Sequence, residues 1–260
     1  MLFYSLEFLL WFLPLTLIGF YAQGRVGTHL SRLVWLFAMS LLFYAAWNFW
    51  YVFLLLSSIL INYVTGKALR SQHVEEAVKK YLVRGGVIFN LCLLGYFKYT
   101  LFFVGILSDI GLASLRVGDI ILPLAISFFT FQQISYLVDI RRGGPAADNW
   151  LEYAFFVSFF PQLIAGPIVR FEEVKAQYDA PGFGRFQADL FNLGIVVFVL
   201  GLVKKVLIAD PLAGIATPLF EANAAGIALD PATAWTAALA YTFQIYFDFS
   251  GYSDMAIGLG

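Results

Sequence analysis

Residues 33–66 read LVWLFAMSLLFYAAWNFWYVFLLLSSILINYVTG, without one charged side chain. As a single helix this stretch would extend about 50 Å at 1.5 Å per residue, well beyond a hydrocarbon core of roughly 30 Å. It is therefore read as two spans joined by a turn near Trp47-Asn48-Phe49-Trp50, with the tryptophans at headgroup level. Composition carries that reading to the whole chain. Of 260 residues, 61% are hydrophobic and 13% charged, against about 45–50% and about 25% in a soluble domain. Mean hydropathy is +0.80. A chain of this size cannot bury so much apolar surface within itself, so its solvent is lipid.

Further apolar segments appear at Leu2–Tyr21, Gly85–Leu107, Ile120–Val138, Tyr153–Val169, Leu190–Ile208 and Ala232–Gly258. The sequence thus predicts an all-α, polytopic membrane protein, with residues 1–260 forming one membrane domain. The first segment has no basic residue before Arg25, which favours an uncleaved helix over a signal peptide. The Ala- and Gly-rich stretch Ala209–Ala234 reads as a loop. Lys67–Arg84 is the clearly soluble stretch, and the positive-inside rule puts it in the cytoplasm with Arg25, Arg32, Arg141 and Arg142. The N-terminus and the Ser108–Asp119 connection then lie outside. Beyond Arg142 the rule fails. Arg170, Lys175 and Arg185 follow one segment and Lys204-Lys205 end the next, making both sides positive; a segment that enters the membrane and returns would reconcile them.

Sixteen Lys and Arg against 17 Asp and Glu leave no basic excess for nucleic acid. The lone Cys92 excludes an internal disulfide and a multi-cysteine metal site. No nucleophile elbow, Walker loop, dinucleotide fingerprint or His-Glu-x-x-His is present. His29 and His73 lie in or beside basic loops.

Polar residues at membrane depth carry the functional signal. Lys98, in Leu94-Gly95-Tyr96-Phe97-Lys98-Tyr99, reads either as a cavity-facing charge or as a lysine snorkelling to the interface. Gln132 lies in Phe128–Tyr136, where Thr130 and Ser135 suit hydrogen bonding between helices. In Phe159-Phe160-Pro161-Gln162-Leu163-Ile164-Ala165-Gly166-Pro167-Ile168-Val169-Arg170, two prolines and a glycine prevent a continuous helix. Such backbone is tolerated at depth only inside protein or beside water. The densest set is Tyr241–Met255. At 100° per residue Gln244 and Asp248 share a face, while Ser250, Ser253 and Asp254 lie nearly opposite. Either Gly251 breaks this helix, or protein surrounds it.

The Phe159–Arg170 and Gln244–Gly258 segments resemble hallmark motifs of the membrane-bound O-acyltransferases. The likeness is greatest to the bacterial branch of alginate O-acetyltransferases and the teichoic-acid D-alanyl transfer protein. Leu122–Gln132 and Leu94–Tyr99 fit the same pattern, in order along the chain. The resemblance implies a helical ring with broken or re-entrant helices around a central tunnel, in the bacterial cytoplasmic (inner) membrane. There an acyl thioester, acetyl-CoA or carrier-bound, would acetylate an exported polysaccharide, with membrane lipid and a periplasmic acyltransferase as partners. No bound cofactor and no metal is implied. Lys98, Gln132, Gln162, Arg170, Gln244, Asp248, Ser250, Ser253 and Asp254 are the candidates for the tunnel or its polar network. The family's essential histidine falls downstream of the last motif, beyond Gly260. The resemblance therefore implies the N-terminal part of a longer enzyme, inactive alone, and gives His29 and His73 no catalytic role. The competing readings are a transporter or export component for polysaccharide or acyl groups, D-alanyl transfer, and a scaffold recruiting exported proteins.

The topology is testable at Gln72. A Gln72→Cys variant should react with impermeant maleimide only after the cells are opened; labelling from outside intact cells would reverse the assignment.

Overall fold

A computed structural model describes residues 2–111, 118, 120–164 and 169–260. Among these residues the chain forms helices and no strand. The helices are α1 (Leu13–Val26, preceded by a π-helical Phe8–Phe12), α2 (His29–Ala45), α3 (Phe49–Arg70), α4 (Glu76–Asp109), α5 (Ile126–Arg141), α6 (Trp150–Ser158), α7 (Phe160–Leu163), α8 (Phe171–Tyr178), α9 (Ala188–Val203), a π-helical Lys204–Ala209, α10 (Asp210–Ala224) and α11 (Pro231–Leu259). Among the described residues three runs are long and apolar enough to cross a membrane: Phe49–Arg70, Glu76–Asp109 and Ala188–Ala224. In each of the last two, only 11% of the apolar window is buried within this chain, which leaves a large apolar surface facing outward.

The uncharged stretch 33–66 is divided as the sequence predicts. α2 stops at Ala45, and the Asn48 side chain caps α3 by accepting from the Trp50 amide at 3.0 Å. Trp47 and Trp50 are exposed. One expectation is corrected: within Ala209–Ala234, residues 210–224 are helical. Alanine is the strongest helix former, and the segment carries on from α9 and the π-helical turn as one helical run, Ala188–Ala224. The expectations for Gly166 and Pro167, and for most of Ser108–Asp119, fall outside the described residues.

Contacts divide the chain into two compact units, the larger holding Thr16–Ile164 and residues up to Arg185, the smaller residues up to Leu15 and Phe186–Gly260. In the larger unit α3 packs against α2, α4, α5 and α6. Its buried positions, Val52, Leu55, Ile59, Asn62, Gly66 and Leu69, recur at alternating spacings of three and four. That spacing makes one continuous stripe on a helix. Leu55 and Ile59 meet Phe129, Leu137, Tyr153 and Phe156 in the core. The polar members of the interface are paired. Asn62 and Asn90 exchange amide hydrogen bonds at 3.2 and 2.7 Å, and each also donates to a carbonyl one turn earlier in its own helix. Gln133 donates to Ser58 Oγ at 2.9 Å and accepts from the Tyr153 hydroxyl at 3.4 Å.

The helix breaks just before Pro161, in line with the sequence. α6 ends at Ser158, Phe159 leaves helical geometry (φ −53°, ψ 110°), and α7 restarts with Pro161 in its first turn. The Ser40 hydroxyl accepts from the Phe160 amide at 3.2 Å, so the interrupted backbone is bonded inside protein.

The asparagine pair yields a stability prediction. Asn90→Leu leaves a buried Asn62 amide without its partner, and should cost about 0.5–3 kcal/mol of stability in bilayer mimetics. The Asn62→Leu/Asn90→Leu double variant should recover most of that loss. Thermal unfolding followed by helicity checks both, and a double variant weaker than either single would contradict the pairing.

Candidate functional site

The smaller unit is organised by two backbones in contact. α9 carries Gly194 and Gly201, α11 carries Gly251 and Gly258, seven residues apart in each helix. A Cβ on Gly201 would lie 2.5 Å from the Gly251 carbonyl oxygen, and one on Gly258 would lie 2.5 Å from that of Gly194. Gly201 thus meets Gly251 and Gly194 meets Gly258, so the helices run antiparallel. Small residues at such a crossing let two helices approach more closely than side chains allow.

That approach sets where the charges meet. Lys204 and Lys205 follow Gly201 by three and four residues; Asp248 and Asp254 stand three residues either side of Gly251. Such offsets rotate each charge about 40–60° from the line of contact, one to each side. Lys204 Nζ lies 2.5 Å from Asp254 Oδ2 and donates to Ser250 Oγ at 3.0 Å. Lys205 Nζ lies 2.7 Å from Asp248 Oδ1 and 2.9 Å from Asp210 Oδ1, with the Tyr4 ring 5.1 Å away. Two ammonium groups and three carboxylates are gathered at the helix crossing, and the lysines begin the π-helical segment, a distortion frequent at functional sites.

α11 stays helical from Pro231 to Leu259, so Gly251 does not break it. Nor does this chain surround it, since Phe243, Tyr246 and Phe249 are exposed; of its polar side chains, Asp248, Ser250 and Asp254 are met by the two lysines. Lys204 and Lys205, near the midpoint of the Ala188–Ala224 run, are engaged by carboxylates of α11. Sequence reading missed them as partners. The available signal was Gly-x-x-Lys-Lys facing Asp-x-x-Gly-x-x-Asp, legible once both are placed on packed helices.

Gln244 and Tyr252 share the stripe of Asp248 at four-residue spacing. Among the described residues the Gln244 Oε1 and the Tyr252 hydroxyl are buried without a hydrogen-bond partner, and the Tyr252 ring stacks on Phe3 at 4.7 Å. Ser253 is half-buried.

The remaining candidates lie in the larger unit and do not converge. Lys98 is exposed on α4, its ammonium 5.6 Å from the Tyr99 ring. Gln132 is buried and donates to the Phe156 carbonyl at 2.9 Å, tying α5 to α6. Gln162 is half-buried on α7, and Arg170 is exposed at the start of α8. A second ionic cluster, not singled out from sequence, docks α8: Lys175 reaches Asp148 and Asp179 at 3.1 Å and Glu152 at 3.6 Å, while Arg70 reaches Asp148 at 3.1 Å. Hydrogen bonds from Lys175 and Arg70 hold Asp148 below the usual carboxylate range. Burial acts to lower Lys175, but its bonds to Asp179 and Asp148 prevail and raise it. His29 Nε2 bonds the Tyr178 carbonyl at 2.8 Å, and His73 is exposed in the turn before α4. Among the described residues no group of three His, Cys, Asp or Glu side chains could hold a metal ion.

Comparison with known families matches residues 146–260 to MBOAT, the membrane-bound O-acyltransferase family. Over its entire length the chain is 41% identical to a probable alginate O-acetylase AlgI of Pseudomonas aeruginosa, covering 49% of that protein. It is 39% identical over its entire length to a peptidoglycan O-acetyltransferase of Helicobacter pylori, covering 54% of it. A teichoic acid D-alanyltransferase of Lacticaseibacillus rhamnosus is 28% identical over 67% of this chain and 49% of its own length. The chain spans about half the length of the curated relatives it matches.

The glycine contact predicts a steep size dependence. Gly251→Leu should lower stability by about 1–3 kcal/mol or more, because its side chain must occupy the space of the Gly201 backbone. Gly95→Ala, where nothing lies within 4 Å, should change little. Thermal unfolding of the two variants is the check, and equal midpoints would contradict the packing.

Proposed function

We propose that this chain is part of a membrane-bound O-acyltransferase, a reading supported by the family match over residues 146–260 and by the similarity along the chain, and that the whole protein transfers acetyl groups onto hydroxyls of an exported or cell-surface polysaccharide. The observation that carries this reading is the similarity along all 260 residues to relatives named for O-acetylation of two different glycans, alginate and peptidoglycan. D-alanyl transfer to teichoic acid is the weaker reading, because its relatives match less of the chain at lower identity. The protein works as a multi-pass component of the bacterial cytoplasmic membrane. The donor is an acyl thioester from the cytoplasm, free or carrier-bound, and the helical ring around a tunnel belongs to this same proposal.

Within that reaction the Lys204–Asp254 and Lys205–Asp248 pairs brace the helices carrying the family's last motif. With its carboxylates engaged by ammonium groups, the cluster is suited to holding geometry rather than to accepting the hydroxyl proton. Acyl transfer still needs a base within hydrogen-bond reach of the acceptor hydroxyl, and imidazole, with a pKa of about 6.5, suits that role. The downstream histidine implied by the family resemblance is assigned this work in the whole protein, so residues 1–260 alone should not turn over.

The test is the O-acetyl ester content of surface polysaccharide in cells lacking the gene, then complemented. Deletion should remove the ester, the complete gene product should restore it, and Asp254→Ala at matched abundance should restore at most a tenth. Unchanged acetylation on deletion would refute the assignment. Restored transport of unmodified polysaccharide, without ester, would favour an export component.

A further inference from the structure

On the side of the larger unit that the charge pattern puts in the cytoplasm, two helix caps each present an arginine to one half-open cleft of about 220 Å³. Arg142 is the C-cap of α5. Its backbone is held by the turn that follows: the Gly143 amide donates to the Ile140 carbonyl at 3.0 Å, and the Gly144 amide to the Asp139 carbonyl at 2.8 Å. These are the two bonds of a Schellman motif, and Gly143 supplies the positive φ of 93° that it requires. Arg170 is the N-cap of α8, its amide donating to Glu173 Oε2 at 3.2 Å. Between them Phe171 is buried, with its ring edge-on to Tyr136 and Phe156 at 5.2 Å, a fixed floor.

The charges in this cleft are not internally settled. Asp139 and Glu172 also line it. Yet among the described residues neither lies within ion-pair distance of Arg142 or Arg170, and Asp139 Oδ2 instead accepts from Ser135 at 3.3 Å. Arg70 and Arg141, by contrast, both have carboxylate partners. Two guanidinium groups without an ion-pair partner among the described residues, on fixed backbones beside the N-terminus of the eight-residue α8, offer the forked donors that suit phosphate oxygens, while Asp139 and Glu172 make the lining neutral in sum.

We propose that this cleft binds the phosphate of a phosphate ester at the cytoplasmic face. Soluble nucleotide-type thioesters and phospholipid headgroups share that chemistry. Naming a soluble donor rests on the acyltransferase reading; the anion site itself does not, and its test involves no acyl transfer.

The purified complete chain in dodecyl maltoside is titrated calorimetrically with coenzyme A and with inorganic pyrophosphate, then in mixed micelles containing phosphatidylglycerol. Arg142→Gln/Arg170→Gln should weaken binding at least tenfold and each single change about threefold or more, with affinity falling as salt is added. Arg84→Gln, on exposed α4 surface, should bind as the parent does. Binding of the soluble probes identifies soluble esters as the ligand, and binding of phosphatidylglycerol alone identifies a headgroup; either supports the site. Equal affinity of parent and double variant, or no binding of any probe to the parent, overturns it. Helicity is measured for each variant, and should the double variant unfold, the two single variants decide by the same criterion.

Discussion

An ammonium group set between apolar turns of a long helix has to find a counter-charge, and the smaller unit is built around that constraint. Lysine at the centre of a membrane span costs about 2.5–3.5 kcal/mol on insertion scales, and here two lysines interrupt the apolar run Ala188–Ala224 in succession. Their partners, Asp248 and Asp254, would be equally costly alone. The four become tolerable together only if α9 and α11 approach closely enough for short carboxylates to reach. That closeness is what Gly194, Gly201, Gly251 and Gly258 provide, with backbone oxygens where a Cβ would otherwise sit. Packing and electrostatics are thus one feature: the glycines let the charges meet, and the charges fix the register of the glycines.

A pair of this kind is weak evidence for stability as such, since apolar replacements of both partners can be neutral or better. Its value lies in specificity. Each lysine has carboxylates on one side of the crossing, so sliding either helix by a turn would strand a charge in lipid. A site carried by α11 then has a defined orientation. In the larger unit neutral amide networks serve that purpose, with Asn62–Asn90 and Gln133–Ser58 marking single registers for α3 against α4 and α5.

Much of this was legible in the sequence, and the failures share a cause. The uncharged 33–66 stretch demanded a turn, and Asn48 supplies its cap. Phe159–Pro161 demanded a break, and Phe159 leaves the helix. Asp248 and Asp254 demanded shelter. What could not be read was the partner. Charge counting treats each lysine by itself, and so does not reveal that Lys204 meets Asp254 and Lys205 meets Asp248. Residues 210–224 were misread for a related reason: alanine and glycine suggest a loop only when no neighbouring helix offers a small-residue surface, whereas Ala216, Ala237 and Ala240 are all buried here. Gln132, a candidate for the tunnel or its polar network, ties α5 to α6 through the Phe156 carbonyl, a partner that residue type alone does not name.

The most direct measurement is the coupling energy between Lys204 and Asp254. It comes from a double-mutant cycle of Lys204→Met, Asp254→Leu and their combination, with stability read by reversible unfolding in bicelles. If the ammonium and carboxylate pair across the helix crossing, each single change strands a charge, and the coupling should be at least about 1 kcal/mol, with the combined variant more stable than either single one. Strictly additive losses, with no coupling, would show that the two residues do not meet and that the crossing is held by something else.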